Sequence, residues 1–437
     1  MLAGLAAGSA VNWAVYALAW NRRRISPWQQ APAGAPKRPW TDRIPVAGWL
    51  GLRRESAVHG GAVWLRPMAV ELLLGAGWAA LYWWEVMRQG LVEPQFAALS
   101  DGPLPVGLLG APAWTTLATF AAHAVLVAIL AAASLIDLDE MTIPDAITIP
   151  GTLVALIIAA VSPMSLLPNV QIREARPPVG VQVRLPAGID AGGARLFVEP
   201  TTPVAPRDGP ARSSGVTSLP GLVVGLACYG GWCFALAPRI WRGRSRGFSI
   251  KLRVVLARAL REMSRPPLLW LEIVGALGIS AMWWRGGAGW IGLHTALVGL
   301  IGSGAMVWAV RVFGSAALRR EALGFGDVTL MMMVGAMLGW QAGVIIFFLA
   351  PFAGLVVGAV QFILRRHDEI PYGPYLSLAA VALVAGWGRL WNADSWLQHV
   401  FAEPWLVPAV LAVGVLMLWA MLVLWRNFKE TMFRATA

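Results

Sequence analysis

An all-α, polytopic transmembrane helix bundle of about 9–11 spans is the fold class this sequence predicts, and three observations predict it. The 437 residues are 57% hydrophobic and only 13% charged, far from the roughly one-quarter charged residues of an average soluble domain. Mean hydropathy is +0.62. Apolar runs long enough to cross a hydrocarbon core recur from end to end, and the basic residues sit in the short segments between them.

Read in order, the runs predict helices near 2–20, 67–87, 113–136, 146–164, 217–238, 267–284, 288–312, 328–340, 341–364, 374–390 and 406–425. The first begins Met-Leu-Ala-Gly without a basic leader and is followed by Arg22, Arg23 and Arg24, the reverse of a cleavable signal peptide. It is expected to stay in the membrane with its N-terminus outside. Loop charge agrees: 21–66 and 239–266 each hold nine Arg or Lys, the tail holds Arg426, Lys429 and Arg434, and 89–112 holds none. Positive charge gathers on the cytoplasmic side, so the C-terminus is expected inside. The run 328–340 is short, and a kinked or re-entrant hairpin around Gly339-Trp340 is an alternative.

This divides the chain into a first helix (1–20), a cytoplasmic loop region (21–66), membrane helices (67–164), an external insertion (165–215) and membrane helices with the basic segment 239–266 (216–312). Further membrane helices (313–390) and a last span with its tail (391–437) follow. The 21–66 region is punctuated by Pro and Gly and reads as a compact loop rather than a helix. The insertion is Pro- and Gly-rich, with alternating fragments Val181–Leu185 and Arg195–Glu199 that predict short strands. Its six arginines do not forbid an external place, because long loops cross largely regardless of charge. Segment 249–264 interleaves basic and apolar residues and is expected to lie as an amphipathic helix on the inner leaflet.

The net charge of +12 is explained by these loops without nucleic acid, and no base-stacking pattern is interleaved with the basic runs. Cys228 and Cys233 lie about 140° apart on a helix and read as packing residues. The five histidines show no ligand spacing, and those inside spans read as hydrogen-bonded core residues. No metal site is expected.

Carboxylates beside hydrocarbon are functional candidates, because burying them is costly. Asp137, in Ser-Leu-Ile-Asp-Leu-Asp-Glu-Met-Thr-Ile-Pro-Asp, closes the third span, and Asp327, in Gly-Phe-Gly-Asp, opens the eighth; both fall on the inner side. Two carboxylates that share a proton hydrolyse a peptide bond, one as base on water and the other polarising the carbonyl. Gly324 and Gly326 would allow a tight turn and leave room for a substrate strand. The bland alternatives are a polar turn over 137–145 in which Pro144 precedes Asp145 as the cap of the next helix, and Asp327 as an N-cap. For Asp145 the cap is favoured.

Gly324-Phe325-Gly326-Asp327-Val328 with Leu330, Gly335-Ala336 and Leu338-Gly339-Trp340 resembles the glycine-x-glycine-aspartate box of the type IV prepilin peptidases. Ile136-Asp137 with Ile143-Pro144-Asp145 is similar to that family's first aspartate box. Gly8-Ser9, Asn12, Arg43-Ile44-Pro45, Gly48-Trp49-Leu50, Glu71 and Ile370-Pro371-Tyr372-Gly373-Pro374-Tyr375 add matches in family order. The resemblance covers most of 1–164 and 290–390. It implies an aspartic endopeptidase of the bacterial inner membrane, with Asp137 and Asp327 as the catalytic pair and Pro144, Asp145, Gly324 and Gly326 supporting. Its partners would be pilin-like precursors and the bilayer, in a pilus or type II secretion system. It also implies N-methylation of the new terminus from S-adenosylmethionine.

Two departures stand out. Many members carry paired Cys-x-x-Cys motifs for zinc in the first cytoplasmic loop, whereas 21–66 contains no cysteine, so thiolate ligation is impossible there and methylation is in question. The family's usual lysine after the motif aspartate is Thr329 here, which removes a cation near Asp327. Two competing readings follow: a catalytically silent homologue serving assembly, and an ion-coupled transporter, the latter expected to hold carboxylates near the bilayer midplane.

Overall fold

The computed structural model describes residues 1–32, 34–92, 113–173, 181–182, 195–203, 215–237, 257, 261–364, 371–391, 395–403 and 405–435. Each of the eleven expected runs is a helix. They are α1 (Leu2–Leu18), α2 (Leu65–Tyr82), α3 (Ala113–Glu140), α4 (Asp145–Val161), α5 (Leu219–Ala235), α6 (Leu268–Arg285), α7 (Gly287–Leu318), α8 (Phe325–Leu338), α9 (Trp340–Leu364) and α10 (Gly373–Leu390). A short α11 (Trp396–Ala402) precedes the last, α12 (Leu406–Ala435). By length and composition α3, α6, α7 and α12 are each sufficient to cross a membrane.

One short helix, α8, is enclosed by packing and not by lipid. The 14 residues of α8 rise only about 21 Å, less than the roughly 30 Å of a hydrocarbon core. Every residue from Asp327 to Leu338 is buried, chiefly against α7 and α4. Gly299 of α7 and Gly335 of α8 meet backbone to backbone: a Cβ on either would lie 2.1–2.2 Å from the other's carbonyl oxygen. Gly339, at φ +90°, reverses the chain into α9, and the Gln341 side chain donates to the Thr202 carbonyl at 2.6 Å. Helix α8 therefore runs from the Asp327 end of the bundle to the opposite end, and the re-entrant hairpin is set aside.

The insertion forms a three-stranded antiparallel sheet, β1 (Pro168–Arg173), β2 (Val181–Gln182) and β3 (Arg195–Pro200), in the order β1-β3-β2 with Val170 opposite Val198. It is pinned at the end away from the aspartates. Trp387 Nε1 donates to the Pro168 carbonyl at 2.7 Å, and Trp391 Nε1 and Gln398 Nε2 donate to Asn169 Oδ1. Tracing the helices between the two ends puts the start of α1 on the sheet side. The end of α12 lies on the aspartate side, where Arg426 donates to the Ala317 carbonyl.

The 21–66 region is compact, but it is not the non-helical loop expected. Short helical turns occupy Trp40–Arg43, Ala47–Gly51, Leu52–Glu55 and Ser56–His59. Local turns capture backbone groups that Pro and Gly leave without longer ladders. Most of the expected amphipathic stretch 249–264 lies outside the described residues. Cys228 and Cys233 are free thiols, and His123, buried in α3, bonds Glu85 at 2.7 Å.

Candidate active site

Helix α3 stays helical through Glu140, so its terminal acids fan out at about 100° per residue instead of forming one polar turn. Asp139 takes a two-pronged bond from Arg66 of α2, both at 2.8 Å. Glu140 accepts the successive backbone N–H groups of Trp20 and Asn21 at 2.7 Å each, clasping the end of α1. Asp137 points elsewhere. Its Oδ2 accepts the Gly373 N–H at 3.1 Å, and the residue is 4% exposed. A Cβ on residue 373 would stand 2.5 Å from that oxygen, so glycine is what admits the carboxylate to the start of α10.

Asp327 comes from the first turn of α8 and is 7% exposed. It is not the N-cap, a place held by Gly324; its carboxyl group lies close to Gly324, where a Cβ would stand 3.3 Å from Oδ2, and a charge on Asp137 is felt there. Both aspartates line one cavity of about 1160 Å³ at this end of the bundle, together with Pro144, Asp145, Gly324, Gly326, Tyr372 and the end of α1. The structure thus brings together all six predicted site residues.

Two expectations about them are corrected. Asp145 does not cap α4: Pro144 holds the cap position, no side-chain cap bond is made, and Asp145, the first helical residue, lines the cavity. The box glycines do not serve a tight turn. Gly324 is extended at φ −67°, ψ 150°, a conformation open to any residue, and Gly326 lies in the helix. The need at 326 is close approach, since a Cβ there would sit 2.9 Å from Ile143 Cβ.

Arg311 was missed. From α7 its Nε donates to the Leu323 carbonyl at 2.9 Å, its other end pairs with Glu321, and its guanidinium lies 5.4 Å from the Phe325 ring centre. It braces the approach to Asp327, and its charge reaches that carboxyl group, so a cation is present although residue 329 is threonine. Thr329 is buried and turns its hydroxyl to the Gly326 carbonyl at 3.1 Å. The signal available was an arginine within an apolar run.

The cysteine-free 21–66 module is fastened by charge. Arg38 grips Glu55 at 2.6–2.7 Å and Arg54 pairs with Asp42. Glu71 of α2 accepts from Ser9, Asn12, Trp49 Nε1 and the Val46 N–H. Among the described residues no three His, Cys, Asp or Glu side chains are grouped to hold a metal.

The model of the type IV leader peptidase family matches residues 124–174 and 260–359, segments that contain both aspartates. The match leaves out 1–123 and takes in 260–289, which lies outside the stretches covered by the motifs. Prepilin leader peptidase/N-methyltransferases are similar to this chain. That of Aeromonas salmonicida is 32% identical over 132 residues (30% of this chain, 40% of the relative). That of Stutzerimonas stutzeri is 34% identical over 137 residues (30% and 43%), and that of Escherichia coli (strain K12) 32% over 117 residues (26% and 48%). The chain spans less than half the length of each of these curated relatives. No solved structure matches. The resemblance read from the aspartate boxes is borne out: the type IV leader peptidase family model and these relatives are similar to the part of the chain that holds both aspartates.

Proposed function

We propose that this chain is an intramembrane aspartic endopeptidase that removes the leader of type IV pilin-like precursors at the cytoplasmic face of the bacterial inner membrane. One observation carries the reading. Two buried carboxyl groups from distant parts of the chain, Asp137 and Asp327, line one cavity at the end of the bundle, and neither is neutralised by an ion pair among the described residues.

Such a pair is suited to hold one proton between two groups. The ionised member takes a proton from water while the protonated member polarises the scissile carbonyl. A precursor inserted as a helix presents its cleavage site where its apolar stretch ends, which is the level of this cavity. A transporter's carboxylates would be wanted nearer the middle of the bundle, and a silent homologue would have no need to keep both acids unpaired.

The relatives' names also include N-methyltransferase. The 21–66 module, with which the resemblance associates that activity, lacks the cysteines of many members, so methylation from S-adenosylmethionine is a second, separately tested part of the proposal. Mass spectrometry of the processed product's N-terminus tests it. The peptidase reading is tested by co-expressing a pilin-like precursor with Asp137→Asn or Asp327→Asn. Each variant is expected to insert normally and to lose processing by at least about 1000-fold, as removal of one member of a catalytic unit does. Normal processing by either would refute its role.

A further inference from the structure

We propose that Tyr372 is a third catalytic residue of the aspartate cavity, its phenol donating a hydrogen bond to the oxyanion formed when water adds to the scissile carbonyl. The inference rests on the endopeptidase reading and deepens it.

Tyr372 is placed by rigid neighbours. Pro371 and Pro374 restrict the backbone around it, and its carbonyl accepts the Tyr375 and Leu376 N–H groups at 3.1 and 3.2 Å, closing the first turn of α10. The next residue, Gly373, gives its N–H to Asp137. Its ring lies edge-on to Tyr375, with centroids 6.3 Å apart, and the residue lines the cavity with both aspartates. One short turn therefore reaches Asp137 through its backbone and brings a phenol into the field of Asp327.

The hydroxyl donates no hydrogen bond to any described residue, so it is available to a ligand. Burial first, and then the Asp327 charge, push its pKa up to about 12. It keeps its proton at neutral pH and serves as a donor, not as a base.

In the addition step the water oxygen bonds the carbonyl carbon, the water proton passes to the ionised carboxylate, and the carbonyl π pair moves onto oxygen. That oxygen is held between the protonated carboxyl and the Tyr372 hydroxyl. In the collapse the C–N bond breaks, nitrogen takes the proton lately gained by the carboxylate, and the oxygen pair restores the carbonyl. Tyr372 ends as it began. A donor of this kind acts on charge that develops in the transition state, so its loss falls on kcat.

The test uses the purified full-length protein in proteoliposomes with a pilin-like precursor. It measures kcat and KM for the wild type, Tyr372→Phe and Tyr372→His, with Asp137→Asn as reference. Tyr372→Phe is expected to lower kcat about 100-fold with KM within about twofold, and Tyr372→His, which restores a ring donor, to recover part of the loss. An unchanged kcat in Tyr372→Phe, a change confined to KM, or equal depression in Phe and His overturns the role of Tyr372. Activity persisting in Asp137→Asn would instead overturn the peptidase reading.

Discussion

Glu71, Asp42 and Glu55 are as deeply buried as Asp137 and Asp327, yet the surroundings treat the two groups in opposite ways. Glu71 collects three side-chain donors and a backbone N–H, while Asp42 and Glu55 are each gripped by an arginine. Asp137 has the Gly373 N–H, and Asp327 has a distant arginine and the charge of its companion acid. A buried carboxylate surrounded by donors is spent on holding elements together. One left facing another acid across a cavity is not stabilising where it stands, and that imbalance marks a place where chemistry, not folding, has set the residue.

The contrast can be broken most sharply at the cavity. Replacing both aspartates by asparagine is expected to abolish processing while the melting temperature in detergent stays level or rises, because desolvated acids are exchanged for neutral isosteres. A large fall in melting temperature would move the pair into the structural class. Glu71→Ala should do the reverse. Leaving its buried donors without an acceptor is expected to cost roughly 3–5 kcal/mol, seen as early thermal unfolding and fresh proteolytic cleavage within 21–66.

Smaller effects sharpen the boundary between the two groups. Gly373→Ala puts a methyl 2.5 Å from Asp137 Oδ2, and the displaced carboxylate is expected to lower processing about 100-fold with little change in stability. Arg66→Gln removes the bridge to Asp139, whose side chains are 41% and 26% exposed; unfolding measurements are expected to register less than about 1 kcal/mol. A larger loss there would show that the fan of acids at the end of α3 works as one unit.

The limits of the sequence are visible within that fan. Asp137, Asp139 and Glu140 are near neighbours in an acidic stretch, and only the continuation of α3 sends them to a cavity, to α2 and to α1. Motif order singled out Asp137 among them, and it is the one that lines the cavity with Asp327. Local position misread Asp145 as a cap and Gly324 as a turn glycine, because both judgements required knowing where α4 and α8 begin to within one residue. Arg311 escaped notice since its partners, Leu323 and Glu321, lie beyond the end of its helix.

Hydropathy along the chain was enough to determine the eleven helices and, by alternation, that both aspartates share one end of the bundle. Each of those properties is a sum over about 20 consecutive residues and survives errors in any one of them. The tertiary structure alone decided that α8 crosses despite its length, that charge in place of cysteine fastens the 21–66 module, and that Tyr372 stands with the acid pair. These depend on the direction of single side chains, which is fixed by packing against elements far away in sequence and is not written in any local window.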